Sequence, residues 1–218
     1  MFTGIIEEIG KVRSITKSGN TLRLDIAAKL ILSDVKIGDS IAVNGVCLTV
    51  TSFNRSSFCT DVMPVTFHAT NLARLAAGSL VNLERAMAAN GRFGGHVVSG
   101  HVDGIGKVIS IKPNENAIVY TFEISSEMSR FCIAKGSIAI DGTSLTLVDV
   151  RNNHVTVSLI PHTRMHSIVG YKKAGDIVNI ECDIMAKQYV KTMAKENKAI
   201  STGNSGITEA YLAEHGFI

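Results

Sequence analysis

Two histidines stand five apart in Gly94-Gly95-His96-Val97-Val98-Ser99-Gly100-His101. Ligand pairs on a helix need i, i+4 spacing, and the glycines disfavour a helix, so this pair predicts no metal centre. A histidine in such a stretch reads first as a hydrogen-bonded strand residue. The cysteines Cys47, Cys59, Cys132 and Cys182 form no Cys-x-x-Cys pair and no zinc-type spacing, and they read as reduced thiols of a cytoplasmic protein. Gly-x-Ser-x-Gly, Gly-x-x-x-x-Gly-Lys-Ser/Thr, the dinucleotide fingerprint and His-Glu-x-x-His are all missing, which argues against hydrolase, nucleotidase and metalloprotease chemistry.

More informative is a difference between matching segments. Cys47 and Ser144 occupy equivalent places in a Gly-x-x-Leu-Thr frame, residues 45–49 and 142–146, and Ile5 is equivalent to His101. Glycine ahead of a strand allows the backbone to approach a flat ligand closely, and Thr49 and Thr146, two residues beyond, share a strand face with Cys47 and Ser144. A heterocycle with a polyol arm could use both features. The plainer reading is that the glycines serve turns and the small residues pack beneath them.

These residues sit in a chain written twice. Residues 4–15 align with 100–111 at seven identities, 41–49 with 138–146 and 77–84 with 174–181, while Pro64 meets Pro161 and Thr66 meets Thr163. The blocks keep their order, so the pattern is duplication of a unit of about 90 residues rather than a short solenoid repeat. Two similar pockets facing each other would suit a reaction between two copies of one molecule, with the Cys47/Ser144 difference separating donor from acceptor; a two-site binding protein fits the same pattern.

Period-2 alternation at residues 22–26, 81–84, 119–124 and 155–159 predicts half-buried strands. Turn chemistry falls at 17–20, 54–57, 112–116 and 152–153, with helical turns at 27–32 and 126–133, and short strands at this spacing favour small barrels or sandwiches. The boundary between copies is placed at residue 96, giving 1–96, 97–186 and a tail 187–218. That tail includes a helix beginning near 184, with Met185, Tyr189 and Met193 on one stripe, that packs on its own domain or between subunits. A mobile stretch at 201–206 and a loosely held helix over 207–218 follow.

The 218 residues are 45% hydrophobic and 19% charged, which suits a folded core and excludes a disordered chain. A net charge of +3 marks no nucleic-acid or polybasic membrane surface. The first residues lack a signal-peptide pattern and no apolar run could span a membrane, so the expected partners include neither nucleic acid nor membrane.

Residues 1–7, 44–50, 94–103, 141–146 and 178–183 together closely resemble the alpha-chain type of riboflavin synthase, in the lumazine-binding barrel family, and the likeness runs from Met1 to about Tyr189. The resemblance implies an all-β fold of two homologous six-stranded antiparallel Greek-key barrels with a C-terminal α-helix. It implies a homotrimer with its site between subunits and an association with lumazine synthase. The implied reaction is a dismutation of two 6,7-dimethyl-8-ribityllumazine molecules, in which four-carbon transfer gives riboflavin and 5-amino-6-(D-ribitylamino)uracil with no cofactor and no metal.

Carried over by motif, the first pocket would use Gly4, Ile5, Ile6, Cys47, Leu48 and Thr49 with Asp61, Val62, Met63, Pro64, Val65 and Thr66. The second would use Gly100, His101, Val102, Ser144, Leu145 and Thr146 with Ile160, Pro161, His162, Thr163, Arg164 and Met165, and Lys135 would reach the shared site. Ser40, Cys47, His101, Ser144, Thr146 and Asp183 match polar positions associated with catalysis, and Phe2 matches an N-terminal residue needed for activity.

The lumazine ring is electron-poor, so its 7-methyl protons are acidic and C7 of a second ring accepts nucleophiles. His101, or Ser144 with Thr146, would assist proton removal. Cys47, Ser40 or a water would add to the other ring, and Asp183 would orient the exchange. Residues 63–68 and 160–165 depart from the family's common pattern. The rival is a non-catalytic lumazine- or flavin-binding antenna protein; a flavin reductase barrel would need a nucleotide-binding domain beyond this length.

Overall fold

The computed structural model describes residues 1–18, 21–202 and 209–217, with side chains described for all of these except Ser18, Thr21 and 194–202. Segments 17–20, 201–206 and 207–218, each given a sequence-based reading, lie partly outside these residues. The described residues form two units, Met1–Ile184 and Met185–Ile218.

In the first unit the alternating runs become twelve strands. The first barrel comprises β1 (Glu8–Ser18), β2 (Thr21–Ala27), β3 (Ser40–Val43), β4 (Val46–Phe53), β5 (Ser57–Val62) and β6 (Leu80–Arg85), closed in the order β1-β2-β5-β4-β3-β6 with every pairing antiparallel. The second comprises β7 (Gly104–Asn114), β8 (Ala117–Glu123), β9 (Ser137–Ile140), β10 (Thr143–Arg151), β11 (His154–Leu159) and β12 (Ile177–Cys182), and repeats that order. Short helices α1 (Pro64–Ala69) and α3 (Pro161–His166) start on the prolines that the repeat aligns, where proline's fixed φ suits a first helical turn. The other short helix, α2, is Ser126–Ser129, capped by the Ser125 hydroxyl.

Register shifts fall at Val12/Ser14 and Val50/Ser52 in the first barrel and at Val108/Ser110 and Leu147/Asp149 in the second. They occupy equivalent places. A bulge bends and twists its strand, which six strands need to close. The turn expected over 112–116 is narrower, because Pro113 and Asn114 still pair with Ile118 and Ala117. The helical turn expected at 27–32 is a 3-10 turn at Ile31–Ser33.

Alternation sets the two faces of each strand. Ile41, Val43, Val46, Leu48 and Val50 fill the first barrel, and Ile138, Ile140, Leu145 and Leu147 fill the second. Ser40, Ala42, Cys47 and Thr49 therefore point outward, as do Ala139, Ser144 and Thr146. On these outer faces Phe2, Ala42, Val98 and Ala139 pack into a third cluster joining the barrels, with Cys47 against it.

Around that cluster the contacts obey an approximate two-fold rotation. Asn82 donates its side-chain amide to the Asp141 carbonyl at 2.8 Å, and Asn179 donates to the Asn44 carbonyl at 2.9 Å. Their side-chain carbonyls accept Ile168 N–H at 2.8 Å and Asn71 N–H at 2.7 Å. The hairpin turns Asn44-Gly45 and Asp141-Gly142 have positive φ throughout, and a Cβ on Gly45 would stand 2.7 Å from Gly142 N. Where these two turns meet, the seam has room for backbone alone.

In the second unit α4 (Ile184–Thr202) presents Met185, Tyr189 and Met193 to solvent, and α5 is Glu209–Glu214.

Candidate functional site

Each barrel is preceded by a leading segment, residues 1–6 and 97–102, and the two segments are exchanged. Phe2 and Val98 pair through reciprocal backbone bonds of 2.7 and 3.1 Å. Gly4 then offers its carbonyl to Ser144 N–H at 2.7 Å, and Gly100 offers its carbonyl to Cys47 N–H at 2.9 Å. Both glycines have positive φ, and a Cβ on either would lie 2.6 or 2.5 Å from the Cβ of the facing Ser144 or Cys47.

This corrects the expected grouping within one chain. Gly100, His101 and Val102 wall the pocket of Cys47, together with Val46, Val65, Thr66, Ala69 and Thr70, in a cavity of about 280 Å³. Gly4, Ile5 and Ile6 wall the pocket of Ser144, together with Thr143, His162, Thr163, His166 and Ser167, in about 150 Å³. Sequence alignment pairs equivalent positions but cannot show which barrel a leading segment folds against.

Other expected residues are placed differently. Leu48, Leu145 and Val62 point into barrel cores, so their side chains are turned away from either pocket. Asp61, Met63, Ile160, Pro161, Arg164 and Met165 are exposed on or beside β5 and α3 outside the two cavities, and Pro64 is half-buried there. Phe2, expected among the catalytic residues, is wholly buried in the seam. Ser40 pairs with Thr49 and borders a separate cavity with Asp34, Asp39 and Arg85. Thr49 and Thr146 are exposed on the outer faces beyond Cys47 and Ser144.

Lys135 is exposed and has φ of 69°, where the first barrel has Gly38 at 93°. A side chain in the left-handed region costs roughly 1 kcal/mol relative to glycine. The lysine occupies that turn despite the strain.

His96 is the residue sequence reasoning assigned to ordinary strand structure. It is buried, its Nδ1 lies 2.7 Å from Ser144 Oγ, and its N–H donates to the Thr3 carbonyl at 3.1 Å. Its Nε2 is buried with no hydrogen-bond partner. Burial lowers its pKa from the ordinary 6.5, against the opposing charge of Asp183, which favours the neutral imidazole beside the Ser144 hydroxyl. The signal was the preceding glycine pair: Gly95 runs so close to the Thr3 carbonyl and Ser144 Cβ that no side chain fits. His166 lines the Ser144 pocket where the first copy has Ala69, and was also missed. Among the described residues no cluster of three or more His, Cys, Asp or Glu could hold a metal ion, and no helix is long and apolar enough to cross a membrane.

A lumazine binding domain model matches residues 3–86 and again 99–183. Riboflavin synthases of Bacillus amyloliquefaciens and Bacillus subtilis (strain 168) are each 50% identical to this chain over the whole of both proteins, and that of Saccharomyces cerevisiae is 41% identical over 96% of each. In fold, the chain is similar to LumP crystallised with 6,7-dimethyl-8-(1'-D-ribityl) lumazine, with a TM-score of 0.75 and 24% identity over 84% of this chain and 99% of that one.

Proposed function

The chain belongs to the lumazine-binding domain family and acts as a riboflavin synthase, and we propose that its Cys47 and Ser144 pockets each hold one of the two reacting 6,7-dimethyl-8-ribityllumazine molecules. Four-carbon transfer from one to the other gives riboflavin and 5-amino-6-(D-ribitylamino)uracil. One substrate is oxidised at the expense of its twin, so the electron balance closes without an added redox cofactor.

The carrying observation is that homologous pockets present unlike groups: a thiol in one, and in the other a serine backed by a buried histidine. In our reading His96 and Ser144 take the 7-methyl proton from the ring in the second pocket. Cys47, Ser40 or a water adds to C7 of the other ring, and Asp183 holds its charge near His96. His101 walls the Cys47 pocket, and in our reading it would meet the Ser144 pocket of a neighbouring chain.

Both cavities are smaller than the roughly 300–1,000 Å³ that encloses a small molecule, which supports half-sites completed by a neighbour. We propose a homotrimer in which the first barrel of one chain meets the second barrel of the next, with Lys135 and Thr146 reaching the shared site and the stripe Met185, Tyr189 and Met193 of α4 as a subunit contact. The same reading places it in the cytoplasm, where its four free thiols stay reduced, in association with lumazine synthase, which co-sedimentation tests.

Incubating the purified protein with 6,7-dimethyl-8-ribityllumazine alone should produce the riboflavin absorbance, with half a mole formed per mole consumed. Tight binding without product would favour an antenna role instead.

A further inference from the structure

Two buried carboxylates hold the exchanged segments. Glu84, on β6 of the first barrel, accepts Thr3 N–H at 2.7 Å and Thr3 Oγ1–H at 2.9 Å on one oxygen, and Gly4 N–H at 3.0 Å on the other. Glu181, on β12 of the second barrel, repeats the arrangement: Ser99 N–H at 2.6 Å and Ser99 Oγ–H at 2.7 Å on one oxygen, Gly100 N–H at 3.0 Å on the other. Each leaves only 4% and 2% of its residue surface exposed.

What these carboxylates hold matters more than their burial. Gly4, fixed by Glu84 from the first barrel, is the residue whose carbonyl receives Ser144 N–H in the second, and the Thr3 carbonyl receives His96 N–H. Gly100, fixed by Glu181 from the second barrel, receives Cys47 N–H in the first. The line of contact runs carboxylate, glycine, backbone N–H of Ser144 or Cys47, and it crosses the seam each time.

We propose that Glu84 and Glu181 are positioning residues for the two pockets, each anchoring from one barrel the segment that walls the pocket of the other. The proposal rests on the assignment of the Cys47 and Ser144 pockets made above. Three donors converge on each carboxylate, and three charge-assisted bonds fix a peptide far better than packing of its glycine could. Glutamine keeps the shape but turns one acceptor into a donor that faces an N–H, so it should displace the segment without emptying the space.

The experiment uses the full chain with riboflavin as probe. Equilibrium dialysis counts riboflavin bound per chain. Mass-spectrometric mapping of iodoacetamide alkylation reads whether riboflavin shields Cys47, and turnover is followed with 6,7-dimethyl-8-ribityllumazine. Glu84→Gln should lower turnover about tenfold or more and remove one of two binding events while Cys47 stays shielded. Glu181→Gln should remove the other event and with it the shielding of Cys47. Thr3→Val and Ser99→Ala, which delete one donor each and leave the carboxylates in place, should give the same two patterns more weakly. If a glutamine variant fails to fold, its hydroxyl-deletion partner decides the matter.

Equal loss of both binding events in all four variants would overturn the proposal, because it would make the carboxylates general supports of the seam. Unchanged binding and turnover would overturn it too. Wild-type protein that binds riboflavin twice yet forms none from the lumazine would defeat the synthase reading alone, since the selective loss of each pocket is still read by binding.

Discussion

The Nδ1 of His96 lies 2.7 Å from the Oγ of Ser144, and the histidine comes just ahead of the leading segment of the second copy while the serine is the second residue of β10. Burial favours the neutral imidazole, which is the state that can receive a proton from a hydroxyl or relay one from a carbon acid. Cys47 holds the equivalent strand position in the first barrel, where Gly100 faces it so closely that a Cβ on the glycine would stand 2.5 Å from that of Cys47. The scaffold is symmetric and its chemistry is not.

Removing either member of the pair should therefore slow the reaction without dissolving the fold. Ser144→Ala and His96→Asn are each expected to cut kcat by about 100-fold or more, within the usual span of general-base assistance. The double variant should cost little beyond either single one, because the two act as one unit. Steady-state kinetics with the lumazine reads this directly, and multiplicative losses would mean that the two groups work independently.

The same histidine has a pH signature. Its folded pKa lies below 6.5, so the unfolded chain takes up the proton first as pH falls. Stability should hold above 6.5 and decline as pH drops from 6.5 towards the folded value. His96→Asn should lose this component of the decline. Because Asp183 opposes the depression, Asp183→Asn should push the His96 pKa lower still, which NMR titration of the imidazole can follow. A wild-type value above 6.5 would contradict the burial argument.

Lys135 offers a trade between stability and activity. Its φ of 69° belongs to the region that Gly38 occupies in the other barrel. Lys135→Gly should relieve about 1 kcal/mol and raise Tm by a few degrees, since its N–H bond to the Leu147 carbonyl is unaffected. Turnover should nevertheless fall, because the ammonium group expected at the shared site is gone. A stabilised variant with full turnover would remove Lys135 from the site.

Much of this architecture could be read before the structure. Alternation at residues 22–26 and 155–159 fixes which side chains face a core, and the aligned prolines 64 and 161 mark equivalent helices because both depend on local chemistry alone. The exchange of leading segments was not legible. Residues 1–6 carry the same pattern whichever barrel they fold against, and the choice is made by Glu84, Gly95 and Ser144, which lie about 80 to 140 residues away. The contact of His96 with Ser144 was hidden for the same reason, since the partner is distant in the chain. Leu48, Leu145 and Val62 were placed in the pockets by motif, although strand alternation alone sends them inward.

The seam itself yields a stability prediction that tests the reciprocal bonds. Asn179 donates to the Asn44 carbonyl at 2.9 Å and to Asn71 Oδ1 at 3.0 Å, and it accepts Asn71 N–H at 2.7 Å, all buried. Asn179→Leu fills a similar volume but leaves a buried N–H and a buried carbonyl without those partners, at about 1–3 kcal/mol for each group. A loss of about 2–6 kcal/mol is therefore expected from denaturant unfolding. Asn82→Leu removes the matching bonds to Ile168 N–H and the Asp141 carbonyl and should cost a similar amount. The double variant should cost less than the sum, because the first substitution already parts the surfaces that the second would part. Strict additivity would show that the two asparagines stabilise separate barrels, and the approximate two-fold would then have no energetic meaning.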